Sequence, residues 1–171
     1  MEHFKDHDNI RVGLVVSNKS TAPVLETAKE FGVPSLVIQR QTFYQTEALL
    51  SDLDKHAIDF IALAGFLWLI PEYLVRHFEN KMVNIHPALL PQYGGKGMYG
   101  KYVHEAVWKN REQESGMTIH YVNEAYDEGN IIFQAKCAIH PEDTPTDIAK
   151  KVLQLEHQHF ALVIEQLLNE D

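Results

Sequence analysis

The 171-residue sequence predicts an α/β fold, namely a Rossmann-like, mostly parallel sheet flanked by helices, with an antiparallel C-terminal strand pair and a long C-terminal helix. Two observations predict it. Short apolar runs alternate with segments of helical spacing through residues 11–110, which is typical of a parallel sheet covered by helices. In the last third, two strand-like runs follow each other with only a turn between them.

The first two thirds of the chain supply the predicted parallel strands and their helices. Residues 11–17 form a short apolar strand, and residues 20–31 place apolar side chains at helical spacing. Gly32 and Pro34 end this helix. The same alternation continues with strands at residues 35–39, 58–63 and 81–85 and helices at residues 46–56, 71–78 and 101–110.

The last third predicts two strands, residues 117–122 and 131–139, joined by a turn around residues 127–130. Thr144 is the expected N-cap of the final helix, with Pro145 at its first position. Neither a repeat nor a linker interrupts the sequence, so residues 1–171 are expected to form a single domain.

Composition narrows the class of protein. A net charge of −9 without any cluster of Lys and Arg argues against nucleic-acid binding. No apolar run approaches the roughly 20 residues that span a bilayer, and the N-terminus is too polar for a secretory signal. The single cysteine, Cys137, lies in an apolar run and is expected to be a buried thiol in a reducing compartment. We therefore expect a cytoplasmic protein without nucleic-acid or membrane partners.

Asn84 and His86 form the strongest local candidate site. They stand two residues apart at a strand end, so their side chains point to one face of the sheet. Ligands of open α/β folds bind at that edge. A histidine there can exchange a proton near neutral pH, and an asparagine amide can donate to a developing oxyanion. The alternative is a hydrogen-bonded asparagine and a histidine with purely structural roles.

Asp127 is the second candidate, in the sequence Tyr-Asp-Glu-Gly at residues 126–129. Its alternative interpretation is simple turn chemistry, because Asp and Gly are the usual residues of turns. A carboxylate beside a histidine could instead orient the ring or relay a proton.

Other motifs point to no ligand. His157 and His159 stand two apart on a predicted helix, so they face apart and are not expected to share a metal ion. The glycine-rich loop at residues 93–100 lacks the spacing of a phosphate-binding P-loop and is expected to be a mobile flap. His120 lies in a predicted strand with one buried face.

Several motifs together resemble the folate-dependent formyltransferases. The sequence Asn-Ile-His-Pro-Ala-Leu-Leu-Pro at residues 84–91 is similar to the hallmark segment of that family. Ala-Gly-Phe at residues 64–66, Gly-Met-Thr-Ile-His at residues 116–120 and residues 126–129 resemble it in the same order. Residues 17–19 and 156–157 are similar to the glycinamide ribonucleotide formyltransferases in particular, and the resemblance runs from Arg11 to Leu168.

The resemblance implies transfer of a formyl group from 10-formyltetrahydrofolate, a cosubstrate, to the amine of glycinamide ribonucleotide in purine biosynthesis, without a metal. It implies that Asn84, His86 and Asp127 are catalytic and that Glu156 contacts the ribonucleotide. The residues implied in folate binding are Leu67, Trp68, Leu69, Ile70, Asn123, Glu124, Ala125 and Tyr126.

Three features depart from the family pattern. Trp68 replaces the common Arg or Lys, and the loop at residues 94–100 is longer than in many members. The family begins with a strand and a glycine-rich loop whose amides hold the substrate phosphate. Here residues 1–8 resemble the end of the helix that follows that loop, so an N-terminally truncated domain is expected. The loss of a central strand would leave sheet edges that favour pairing with a second chain, as in a homodimer.

Three other functions fit the same motifs. A formyltetrahydrofolate deformylase has the Asn, His and Asp trio together with an N-terminal regulatory domain. A methionyl-tRNA formyltransferase has a C-terminal nucleic-acid-binding domain. The third alternative is an inactive truncated remnant.

Overall fold

The computed structural model describes residues 1–169, which contain six strands, six α-helices and a 3-10 turn at Glu2–Phe4. The strands are β1 (Val15–Ser17), β2 (Ser35–Val37), β3 (Ile61–Ala64), β4 (Met82–His86), β5 (Glu114–Tyr121) and β6 (Ile131–Ala138). The helices are α1 (Pro23–Glu30), α2 (Arg40–Gln45), α3 (Ala48–Lys55), α4 (Glu72–His77), α5 (Lys101–Lys109) and α6 (Pro145–Asn169).

The strands form two sheets. β1 and β2 pair in parallel, and a four-stranded sheet has the order β3-β4-β5-β6. β3 and β4 are parallel, whereas β5 runs antiparallel to both β4 and β6. The α/β fold with an antiparallel C-terminal strand pair and a long C-terminal helix is confirmed. Within residues 1–169, no strand joins β1 to β3.

Two apolar cores hold helices against these sheets. One core packs β4 and β5 against α5 and α6, and Val83, Met117 and Ile148 are fully buried there. The other joins β1, β2 and β3 to α2, α3 and α4 around Phe43 and Leu74. Burial of each such side chain stabilises the fold by roughly 1.5–3 kcal/mol, so the two cores together fix the sheet edge where β4 ends.

Three sequence predictions need correction. The helix α2 was not predicted. It forms because Phe43 packs against the rings of Phe66 and Trp68, which are distant in sequence. Pro71 is the N-cap residue of α4 rather than its first helical residue.

Residues 1–8 contain one 3-10 turn rather than the end of an α-helix. The ring nitrogen Nδ1 of His7 accepts the backbone N–H groups of Asn9 and Ile10, which turns the chain out of a helical path. Phe4 packs against the core that contains α6, and Nε2 of His3 lies 2.6 Å from Oε2 of Glu165 on α6.

The beginning of α6 agrees with the sequence prediction. Pro145 is its first residue. The backbone N–H of Asp147 donates to Oγ1 of Thr144, and the Asp147 carboxylate accepts the N–H of Thr144. These reciprocal bonds satisfy donors that a helix start leaves unpaired. In the described part of the chain, none of the helices is both long and apolar enough to span a membrane.

Candidate active site

The candidate site lies where β4 ends, and it contains both predicted residues of that strand. Asn84 is the register partner of His120 on β5, and His86 is the partner of Thr118. Asp127 approaches from the loop that follows β5. The structure therefore places Asn84, His86 and Asp127 together, and it adds His120 as a fourth polar side chain.

His86 has one ring nitrogen fixed and the other facing Asp127. Its Nε2 lies 2.7 Å from the carbonyl oxygen of Tyr93, which can only accept, so Nε2 carries the hydrogen. Nδ1 lies 3.5 Å from Oδ2 of Asp127. Only 4% of His86 is exposed. Proton exchange by this imidazole therefore takes place at Nδ1, on the side of the carboxylate.

Asp127 is positioned by its backbone conformation and by the residues around its carboxylate. Its φ angle of 57° lies in the left-handed region, as expected for an Asp in a tight turn. Its Oδ2 accepts the backbone N–H of Gly95 at 3.0 Å, and its Oδ1 lies 3.5 Å from Nε2 of His120. The turn interpretation and the site interpretation thus describe the same residue: the turn directs the carboxylate between two imidazoles.

Asn84 is oriented by His120, which the sequence did not identify as a site residue. Nδ1 of His120 donates to the Tyr121 carbonyl at 2.8 Å, so its Nε2 is free to accept. The Asn84 amide nitrogen lies 3.1 Å from this Nε2 and 3.5 Å from Oδ1 of Asp127. The only sequence signal for His120 was its place in residues 116–120, because the strand register that sets it opposite Asn84 is a tertiary property.

Burial and neighbouring charges set the protonation of the pair. Burial lowers the pKa of His86, and the negative charge of Asp127 and the Tyr93 carbonyl only partly offset it. Burial raises the pKa of Asp127, but His120, His86 and the Gly95 amide outweigh this effect and hold that pKa below its usual range. Near neutral pH the site therefore combines a neutral imidazole with an ionised carboxylate.

A buried network fixes the backbone that leaves β4. Oγ1 of Thr118, which is fully buried, donates to the Ala88 carbonyl at 2.6 Å and accepts the Leu90 N–H at 3.0 Å. The side-chain amide of Gln134 donates to Thr118 and to the Leu90 carbonyl, each at 2.9 Å. The segment after His86 is thereby tied to both strands of the C-terminal pair. Leu90-Pro91 is a cis peptide bond.

A second histidine near His86 was also absent from the predicted site. His104 on α5 is 7% exposed, and its Nδ1 has no hydrogen-bond partner in the described residues. Burial, followed by the proximity of His86, lowers the pKa of His104. His104 is buried on α5 near His86. Nothing in the sequence except its residue type could have identified it as a neighbour of the site.

The two segments that the family resemblance assigns to the folate both border the second apolar core. Val122, which precedes residues 123–126, packs in the same core as Phe66 and Trp68. Leu67 is 44% exposed, whereas Ile70 is only 6% exposed and belongs to that core. Within this segment Leu67 is exposed, Trp68 and Leu69 are half-buried, and Ile70 is buried.

Glu156 makes no hydrogen bond to Asn84, His86 or Asp127 in the described residues. It is half-buried on α6, and burial raises the pKa of its carboxyl. Cys137 is half-buried rather than buried as predicted, because β6 is the outer strand of its sheet. No cluster of three or more metal-ligating side chains occurs among residues 1–169.

This arrangement of an α/β domain, a sheet edge and an Asn, His and Asp group agrees with one family. The sequence pattern of the formyl transferase family matches residues 2–164. The chain belongs to that family.

Comparison with individual proteins gives a more specific result than the family match. The chloroplastic phosphoribosylglycinamide formyltransferase of Arabidopsis thaliana is 42% identical over 164 residues, which cover 93% of this chain and 56% of that protein. The phosphoribosylglycinamide formyltransferase of Bacillus subtilis is 35% identical over 91% of this chain and 79% of its own length. The crystal structure of that enzyme from Anaplasma phagocytophilum superposes with a TM-score of 0.82 at 33% identity, covering 91% of this chain and 72% of the other.

The relatives are longer than this chain. It spans 56% of the Arabidopsis protein and 52% of the chloroplastic phosphoribosylglycinamide formyltransferase of Vigna unguiculata. The chain thus covers only about half the length of these plant proteins.

Proposed function

We propose that this protein transfers the formyl group of 10-formyltetrahydrofolate to the amine of glycinamide ribonucleotide, a step of purine biosynthesis. The observation that carries the proposal is the placement of the Asp127 carboxylate against both His86 and His120, beside Asn84. The relatives named phosphoribosylglycinamide formyltransferase support the choice of substrate.

The proposed reaction begins with attack of the substrate amine on the formyl carbon. A new C–N bond forms, and the carbonyl electrons move to oxygen, giving a tetrahedral oxyanion. The side-chain amide nitrogen of Asn84 makes two hydrogen bonds, one of 3.1 Å to His120 and a longer one of 3.5 Å to Asp127. The N–H of the longer bond can turn to donate to this oxyanion.

The second half of the reaction needs proton movement. The bond between the formyl carbon and N10 of the folate breaks as the carbonyl re-forms, and the attacking amine loses a proton while N10 gains one. Nδ1 of His86 can take up a proton, and the ionised Asp127 at 3.5 Å stabilises the resulting imidazolium. In this scheme the Asn84 amide stabilises the oxyanion by a hydrogen bond, and no step requires a metal.

The proposed positions of the two substrates are based on the residues predicted to bind the folate and on the residue predicted to bind the ribonucleotide. The folate contacts residues 67–70 and 123–126, which border the second apolar core through Trp68, Ile70 and Val122. Glu156 contacts the ribonucleotide. Its carboxyl is half-buried on α6, and burial raises its pKa.

The proposal is tested by an assay of formyl transfer to glycinamide ribonucleotide, in which the consumption of 10-formyltetrahydrofolate is monitored. His86→Ala and Asp127→Asn are each expected to lower turnover by about 10² or more, since each removes an acid–base or oxyanion partner. His77→Ala, a change of an exposed histidine on α4, is the matched control. Near-normal turnover in either site variant would remove that residue from the mechanism.

The same assay separates the alternatives. Consumption of 10-formyltetrahydrofolate in the absence of ribonucleotide would identify a deformylase. Binding of the folate without any turnover would identify an inactive member of the family.

The cellular setting and the assembly state are also proposals. The lone Cys137 supports a reducing compartment such as the cytoplasm, and localisation of a tagged full chain tests it. The edges of β1 and β3 that pair with no strand of the described chain support a homodimer. Light scattering on the purified protein measures its mass, and a monomeric mass would contradict the dimer.

A further inference from the structure

Three consecutive residues of the glycine-rich loop contact both members of the proposed acid–base pair. The backbone carbonyl of Tyr93 accepts from Nε2 of His86 at 2.7 Å, and the backbone N–H of Gly95 donates to Oδ2 of Asp127 at 3.0 Å. Gly94 passes so close that a Cβ there would lie 3.4 Å from Cβ of Asp127. The position of residues 93–95 therefore decides which nitrogen of His86 carries the hydrogen and which one faces the carboxylate.

The backbone of Tyr93 has a conformation that needs support from other contacts. Its φ angle of 56° lies in the left-handed region, which is unfavourable for a large side chain. Such a conformation persists only where the surrounding structure holds it. The carbonyl that meets His86 therefore depends on whatever holds the Tyr93 side chain.

The hydroxyl of Tyr93 is held by two residues that follow α5. It donates to Oε1 of Glu112 at 2.6 Å, a charge-assisted bond, and it accepts the side-chain N–H of Asn110 at 2.8 Å. Burial raises the pKa of this hydroxyl, and the bond to Glu112 raises it further, so the phenol keeps its hydrogen near neutral pH. The ring packs against the core formed by β4, β5, α5 and α6.

The two anchoring residues are attached to the same core through α5. Asn110 is the C-cap residue of this helix, and Val103 and Val107 on its inner face are 0% and 2% exposed. The backbone N–H of Glu112 donates to the carbonyl of Val107 at 3.3 Å, which ties Glu112 to the end of the helix. A well-packed helix end is thereby connected to the imidazole of His86 through a single phenol.

We propose that Glu112 and Asn110 are positioning residues of the formyl transfer reaction, which act through the Tyr93 hydroxyl to hold the Tyr93 carbonyl against Nε2 of His86. The inference rests on the proposed function, and it adds the contact that keeps Nδ1 as the nitrogen that exchanges protons. Glu112 and Asn110 take no part in the bond changes themselves.

Tyr93→Phe tests the inference, because it removes both hydrogen bonds of the hydroxyl and keeps the ring. Turnover is expected to fall about tenfold with little change in KM for either substrate, since a loosened imidazole is misplaced for proton exchange. The ring-nitrogen NMR signals of His86 should change from those of hydrogen on Nε2 alone to those of a mixture of both tautomers.

Tyr99→Phe is the matched control. Tyr99 lies in the same loop and is 41% exposed, and its hydroxyl makes no hydrogen bond among residues 1–169. This variant should keep the turnover and the His86 signals of the unaltered chain.

Tyr93→Phe should also move the acid limb of the pH–rate profile. The bond to the Tyr93 carbonyl raises the pKa of His86, so its loss should lower that pKa and shift the limb to lower pH. Asp127 and His120 also face this imidazole, and His104 lies near it, but all three are unaltered in the variant. The shift therefore reports the contact with Tyr93.

Changes at Glu112 separate positioning from a loss of the fold. Glu112→Gln keeps an acceptor for the hydroxyl and should retain most of the turnover and the Nε2 signal, whereas Glu112→Ala should behave as Tyr93→Phe does. Thermal unfolding of every variant checks the fold, and Glu112→Ala decides the question if Tyr93→Phe does not fold.

The His86 signals distinguish the possible outcomes. Signals that stay unchanged in both Tyr93→Phe and Glu112→Ala, with or without a loss of turnover, would overturn the inference while the proposed function stands. If the unaltered chain transfers no formyl group but its His86 signals respond to Tyr93→Phe, the proposed function fails while the positioning contact stands.

Discussion

Asp127 links the electrostatics of the site to its geometry. Its left-handed backbone directs one carboxylate oxygen towards His86 and the other towards His120. His120 in turn accepts from Asn84. All three partners therefore face the same carboxylate, so that a change at Asp127 is expected to disturb the proton affinity of His86 and the direction of the Asn84 amide together.

The protonation of His86 gives the residue-scale prediction. Because burial dominates and lowers its pKa, His86 should titrate below the ordinary value of about 6.5. Turnover is then expected to hold at neutral pH and to fall on the acid side of that value, as the imidazole becomes charged. Asp127→Asn removes a negative charge that raises the pKa of His86, so this variant should shift the titration to still lower pH. NMR titration of the ring proton measures it.

The same shifts predict the direction of the pH dependence of stability. The folded-state pKa values of His86 and Asp127 are both lowered, so the folded protein binds fewer protons than the unfolded chain on the acid side. The free energy of unfolding should therefore fall as the pH falls below about 6.5 for His86 and, at lower pH, through the titration of Asp127. A His86 titration above 6.5, or turnover that is flat from mildly acidic to alkaline pH, would contradict this account.

At the scale of elements, the loop after β4 is positioned by the two strands that follow it along the chain. Thr118 of β5 and Gln134 of β6 hold Ala88 and Leu90 by three hydrogen bonds, and a fourth joins Gln134 to Thr118. Gly116 of β5 is part of the same contact, since a Cβ at this position would overlap the backbone of Ala135 and the side chain of Leu89. The antiparallel pair therefore supports the end of β4, where the candidate residues Asn84 and His86 lie.

Thr118→Val tests this support. The change keeps the volume of the side chain but leaves the Ala88 carbonyl, the Leu90 N–H and the Gln134 amide short of a partner in a buried place. We expect the free energy of unfolding to fall by about 2 kcal/mol, measured by urea denaturation. Thr21→Val, at an exposed turn position, is the control and should change it by less than about 0.5 kcal/mol. Equal stability of the two variants would mean that other contacts hold the loop.

At the scale of the whole molecule, the sheet is divided between β1 and β3. Side chains of both strands, such as Val16 and Leu63, pack in one core with α2, α3 and α4, so the two sheets share a covered face. Ala62 and Ala64 on β3 are exposed, although a parallel strand is normally covered on both faces. We propose that one further strand and its helix fit between β1 and β3, as the family resemblance implies.

A chain extended at its N-terminus by a glycine-rich strand, loop and helix tests that proposal. The loop amides would supply several charge-assisted hydrogen bonds to the ribonucleotide phosphate. Calorimetry should show at least about tenfold tighter binding of glycinamide ribonucleotide than to the 171-residue chain, and a smaller change for folic acid. A flexible Gly-Ser extension of equal length is the control. Equal ribonucleotide affinity with and without the extension would place the phosphate elsewhere, for example at Lys96 in the glycine-rich loop.

Local sequence was sufficient for most of the elements. Alternating apolar runs predicted all six strands, and Thr144, Pro145 and Asp147 predicted how α6 begins. These features depend on contacts within a few residues, so the sequence contains the information. Helix α2 was missed because its stability comes from the burial of Phe43 among rings supplied by a distant segment.

The sequence by itself determined the α/β fold and the candidate residues Asn84, His86 and Asp127, since a strand end and a turn motif mark them without any long-range contact. Only the tertiary structure decided that His120 completes the group, that the ring of His86 turns Nδ1 to the carboxylate, and that Glu112 and Asn110 hold the hydroxyl of Tyr93. The reason is physical: strand register, burial and ring stacking are set by the packing of segments far apart in the chain, and residue order specifies them only through the completed fold.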